Sequence, residues 1–192
     1  MVNDGWMTEA SANARGHGGT VDRQAISREM DDARSRLHEL LAGADASGLR
    51  RRSDGTRWTN EQLLFHMVFG YQVVRALLPL VRVVSRLPAP VGQSFATALN
   101  SARRPFHLVN YWGSCAGARV FDHNRLGWLC DRAITGLQRH LQRESDSGLR
   151  RGMPFPTEWD PYFRPRMAVG EIYRYPNEHF EHHRRQLTLG IR

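Results

Sequence analysis

Residues 57–78 read RWTNEQLLFHMVFGYQVVRALL, and they mark the start of a helix more clearly than any other part of the chain. Thr59 can cap the helix, and Gln62, three residues on, completes a capping box. Trp58 before the cap and Leu63 at the fourth helical position can close as a hydrophobic staple. Beyond the cap, Leu63, Met67, Gly70, Val74 and Leu77 recur at helical spacing. Pro79 is placed to kink this helix, and Pro88 and Pro90 to stop it. His66 sits in the second turn, inside the apolar run from Leu63 to Phe69.

Working outward, three more amphipathic helices can be read. Upstream, Ile26, Met30, Ala33 and Leu37 share a face, and this pattern should end near Gly43 or Gly48. Downstream, Leu126, Cys130, Ala133, Leu137 and Leu141 form a second stripe, closed by Gly148. A last helix is expected from about Val169 to Leu189. Between these, residues 88–117 predict a short helix around Gln93–Arg103, followed by irregular chain through Arg104-Pro105 and Tyr111-Trp112-Gly113. Residues 148–166, with four prolines, predict an ordered loop. No run alternates as a strand would. The expected fold is all-α, an antiparallel four-helix bundle with a long middle insertion, over residues 21–192. Residues 1–20, rich in glycine and without periodicity, are expected to be a flexible tail.

Composition narrows the function classes. A chain of 192 residues with 41% hydrophobic and 24% charged content suits one globular domain. The formal charge of +8 points first to nucleic acid or an anionic membrane. All 27 basic residues are arginine, however, and they are spread along the chain, as codon bias would spread them. No DNA-reading motif accompanies them, which argues against nucleic acid. His66, Arg75, Arg82 and Arg86 interrupt the most apolar stretch, Leu63–Leu87, and argue against a membrane span. The first twenty residues lack the apolar core of a signal peptide. Two cysteines, Cys115 and Cys130, read most plainly as free thiols in a reducing cytosol, so a cytoplasmic location is expected.

The chemistry concentrates in residues 177–187, NEHFEHHRRQL. His179 and His183 are one turn apart on one helix face and can share a divalent ion. Nine histidines would produce roughly 0.4 such pairs by chance, so spacing alone leaves a solvated basic helix end as the alternative. The face favours the ion. Ile172, Pro176 or Tyr175, His179, His183 and Leu187 form one stripe, while His182, Arg184 and Arg185 point elsewhere. Buried imidazoles need partners, and His66 is the natural third ligand from another helix. Gln186 is placed to hydrogen-bond a ligand histidine. His38 reads as boundary packing, His140 as half-exposed, and His107 and His123 as flanking the irregular middle segment.

These features together resemble the DinB/YfiT-like superfamily of metal-binding four-helix bundles. The resemblance is carried by RWTNEQLLFH, where the family has a tryptophan, a capping hydroxyl and a histidine one to two turns in. It is carried equally by HFEHHRRQL, which is similar to the family's His-x3-His-Arg-x-Gln pattern, and by the spacing of the two. It covers roughly residues 22–189 and implies a metal triad of His66, His179 and His183. Arg185 replaces the small residue usual before the glutamine, and Pro176 and the longer middle insertion can reshape the pocket mouth. The resemblance further implies zinc, nickel or iron, and transfer or isomerisation of low-molecular-weight thiol adducts. The arginine-only composition is compatible with an actinobacterial source, in which that thiol would be mycothiol. Arg75 is one candidate to meet a thiol's carboxylates. The competing expectation is a non-catalytic metal-binding or stress-response bundle, dimeric through an exposed helix face.

Overall fold

The computed structural model describes residues 21–189, so the tail expected over residues 1–20 lies outside the described residues. Eight helices and one two-stranded ribbon follow in the order α1 (Arg23–Gly43), α2 (Ala46–Arg50), α3 (Asn60–Val84), α4 (Ala89–Ser101), α5 (Arg103–Val120), α6 (His123–Arg143), α7 (Asp146–Arg150), β1 (Gly152–Pro154), β2 (Arg166–Ala168) and α8 (Val169–Arg184). Helices α1, α3 and α6 start at side chains that cap them. Asp22 accepts from the Ala25 N–H at 2.9 Å on α1. On α3 the capping box is complete: Thr59 accepts from the Gln62 N–H, and Gln62 Oε1 accepts from the Thr59 N–H at 3.0 Å.

Helices α1, α3, α6 and α8 form a four-membered ring in which α1 touches α6 and α8, and α3 touches α6 and α8. Their inward stripes are the ones legible in the sequence, with Ile26, Met30, Ala33 and Leu37 buried on α1 and Leu126, Cys130, Ala133, Leu137 and Leu141 on α6. Polar contacts along the seams give the direction of each pair. Residues 66 and 71 of α3 meet 179 and 177 of α8, and Ser27 and His38 of α1 meet Gln138 and Asp131 of α6, so these two pairs are antiparallel as expected. Glu29 and Arg36 of α1 meet Arg174 and Glu181 of α8, and Glu61 and Gln72 meet His123 and Leu129, so the other two pairs are parallel. A parallel α3–α6 pair requires the chain to travel back along the bundle between them. The α4–α5 insertion makes that journey and delivers His123, whose N–H donates to Glu61 at 3.4 Å, beside the start of α3.

Four local expectations are corrected. Residues 103–120 are helical rather than irregular. Pro105 falls in the first turn of α5, where its missing N–H has no helical partner to lose. The small residues Ser114, Gly117 and Ala118 then let α5 seat on Phe65 of α3. Helix α3 ends at Val84, ahead of Pro88 and Pro90 as expected, but the short helix expected around Gln93–Arg103 begins earlier, at Ala89, with Pro90 in its first turn for the same reason. The 148–166 segment carries β1 and leads into β2, which pair antiparallel over three residues each, too short for alternation to register. Last, α8 stops at Arg184, five residues short of the expected Leu189. The chain peels away to donate from Thr188 N–H to Asn60 Oδ1 at 3.1 Å and to accept at the Gln186 carbonyl from Asp54 N–H at 2.8 Å.

By length and composition α3 could cross a membrane. Here it is the central helix of the bundle, packed on α2, α5, α6 and α8. Both cysteines are free, and burial pushes the Cys130 thiol up to about 12.

Candidate metal centre

The three histidines singled out in the sequence converge. One ring nitrogen of each of His66, His179 and His183 lies within 4.8 Å of the others, from the second turn of α3 and the last turns of α8. His66 and His179 are buried and His183 is half-buried. His66 Nε2 and His179 Nε2 are 3.1 Å apart. Nitrogens about 2.1 Å from a tetrahedral ion would lie about 3.4 Å apart, so little movement separates this spacing from ligation.

Neighbouring groups decide which nitrogen of each ring is free. The Ser114 hydroxyl donates to the Asn110 carbonyl at 2.8 Å, so towards His66 Nδ1, 3.1 Å away, it can only accept. His66 therefore carries its proton on Nδ1 and presents a bare Nε2 lone pair. Gln186 Oε1, 2.6 Å from His183 Nδ1, does the same for His183. Among the described residues His179 Nδ1 has no hydrogen-bond partner, and it lies over Gly70, where an added Cβ would be 3.0 Å from it. The indole N–H of Trp58 is likewise unpartnered, while its ring stacks on His66 at 4.3 Å. Two orphaned buried polar atoms at one place are unusual, and they border a donor set that suits a divalent ion.

Electrostatics agree with neutral rings. Burial, then the proximity of His183, pushes His66 down to about 3. Burial pushes His183 down to about 4, with the Gln186 bond opposing it. Burial holds His179 well below the usual histidine range. A neutral imidazole has the lone pair that a metal needs.

The triad opens at one end of a cavity of about 370 Å³ between α3, the α4–α5 insertion and the loop between β1 and β2. His182, expected to point elsewhere, lines this cavity and takes up the Tyr162 hydroxyl at 3.2 Å on its Nδ1. It does so because it lies in the final turn of α8, which ends two residues later at Arg184 and faces the loop. His107 also lines the cavity. Arg75 does not, since it packs over Gly136 on α6. His38 pairs with Asp131 at 2.9 Å, His123 with Glu61 at 3.4 Å, and His140 stays half-exposed on α6.

Two features escaped the sequence. Ser114 lies in the segment read as irregular, so nothing marked it as a partner for His66. Asp160 accepts from the Tyr175 hydroxyl at 2.8 Å and from the Tyr162 N–H at 2.9 Å, and burial raises its pKa against both bonds. Its one signal was an acid flanked by aromatics, Trp159-Asp160-Pro161-Tyr162.

The model of the DinB superfamily matches residues 29–187. Comparison with curated proteins and with solved structures found no significant match.

Proposed function

The chain belongs to the DinB superfamily, and on that premise we propose that it binds one divalent ion through His66, His179 and His183 and uses it to transfer or isomerise adducts of a low-molecular-weight thiol. The observation that carries the reading is the pair of hydrogen bonds, from His66 to Ser114 and from His183 to Gln186, that turn bare Nε2 lone pairs inward. Three neutral imidazoles would leave an ion its full charge and a fourth position facing the cavity, an arrangement that favours an anionic ligand. The ion, when bound, would lower the pKa of a thiol that reaches it, so that the thiolate is present at neutral pH. The chain's own part is to orient the rings, keep them unprotonated and exclude water with Trp58, Tyr111 and the α5 helix. Zinc, nickel and iron all accept such a donor set.

The test is elemental mass spectrometry on protein purified without a nickel column. About one divalent ion per chain is expected, and its loss in His66→Ala and His183→Ala variants that still fold. No metal after reconstitution would overturn the reading. Titration with N-acetylcysteine in two buffers of different ionisation heat then reads the released proton. Metal binding without proton release would leave a non-catalytic metal-binding bundle.

A further inference from the structure

Helix α5 seats on α3, but α4 packs chiefly on β1 and α5, so α4 is set off from the bundle and walls the cavity beside the histidines. Its walls are fastened to each other. The Trp159 indole N–H donates to the Leu99 carbonyl at 2.7 Å, and its ring stacks on Phe106 at 4.1 Å. The Glu158 N–H donates to Asn100 Oδ1 at 3.2 Å. The gap is thus a built space and not a loose edge of the core.

The body of this chamber is apolar, with Phe69, Val73 and Val81 from α3, Phe95 and Leu99 from α4, and Phe155 from the loop. Among the described residues no arginine lines it, in a chain whose 27 basic residues are all arginine. The one carboxylate it contains, Asp160, is already held by Tyr175 and by backbone at residue 162. Away from the triad, an anionic ligand would lose its hydration and meet that carboxylate with no side-chain cation in return. A neutral apolar body would displace water from the aromatic walls and keep its single polar end near the triad.

The geometry points to a binding site for a neutral, largely apolar small molecule, with an aromatic or branched aliphatic body, in the chamber between α3, α4 and residues 155–163. This rests on the metal reading only in making that molecule a substrate; the binding is independent of it. A polyhydroxylated or charged thiol would therefore reach the ion from the rim, and the chamber would take its apolar reaction partner.

Two fluorescent probes test the assignment, N-phenyl-1-naphthylamine and 8-anilinonaphthalene-1-sulfonate, which share one aromatic frame and differ in the sulfonate. The full chain should bind the neutral probe saturably, about one per chain, and the sulfonate at least about tenfold more weakly. Leu77→Glu, at a mouth position 41% exposed where a charge can be tolerated, should weaken the neutral probe at least about tenfold with metal content unchanged. Val73→Trp, which fills the chamber from a half-buried position, should do the same. His183→Ala should lose the metal and keep the probe. Val109 is 69% exposed on α5 and does not line the chamber, so Val109→Glu should have no effect. Equal binding of both probes, loss of the probe in Val109→Glu, or no saturable binding to metal-loaded protein would each overturn the chamber. Probe binding in unsubstituted protein that takes up no metal even after reconstitution would leave the chamber standing and overturn the metal reading instead.

Discussion

His66 is held on three sides, by Ser114 at Nδ1, by the Trp58 ring on its face and by His179 at Nε2. Of these contacts, the one to Ser114 chooses the tautomer. Ser114→Ala removes the acceptor and leaves a buried Nδ1–H unpaired, a loss of about 1–3 kcal/mol in stability. The proton can then move to Nε2, where it blocks ligation, and metal affinity should fall about 10–100-fold. Competition with a chromophoric chelator measures the affinity and denaturant unfolding the stability. An unchanged affinity would show that Ser114 does not orient the ring. The histidines themselves were legible because two of them shared a stripe with Ile172 and Leu187 and the third interrupted an apolar run. Ser114 was not, because a serine pairs with a distant histidine only through tertiary contact.

At the scale of elements, the best-marked helix and the worst-marked one lie against each other. The start of α3 was written in local chemistry: a capping hydroxyl, a glutamine three residues on, and an apolar period. By contrast, α5 depends on a close approach. A Cβ on Gly117 would sit 2.1 Å from Cζ of Phe65, so only glycine lets α5 reach α3 at this point. Gly117→Ala should push the helix outward and destabilise the protein by about 1–3 kcal/mol, as overpacking does. It should also weaken metal binding, because Ser114 travels with α5. Phe65→Leu in the same chain vacates the overlap and should recover much of both losses. Thermal unfolding and chelator competition on the two single variants and the double variant give the coupling. Additive losses in the double variant would mean the two residues do not meet as described.

At the scale of the whole molecule, the buried triad ties folding to pH. Above about pH 6.5, the ordinary histidine value, the rings are neutral folded and unfolded. Below it, the unfolded chain takes up protons that the folded rings refuse until about pH 4 at His183 and about pH 3 at His66. Their lowered pKa values therefore contribute stability that is full above the ordinary value and is lost as the pH falls. The slope is up to about 1.4 kcal/mol per pH unit for each ring. Chelator-treated protein should show a urea midpoint that drops steeply from pH 7 to pH 5, and His66→Leu should flatten that drop. The same slope in the variant would assign the effect to other groups.

The sequence alone determined what depends on neighbours within a few turns. The capped start of α3, the stripes of α1 and α6, and the shared face of His179 and His183 all follow from side chains that meet their partners at spacings of three and four. The tertiary structure decided the rest. It set the up-down-down-up course of the bundle, because a parallel α3–α6 pair becomes visible only when the insertion has carried the chain back. It set the tautomers of His66 and His183 and brought His182 to the cavity. It also opened the apolar chamber, because a space between helices is a property of how they stand apart, and no single helix encodes that distance in its own period.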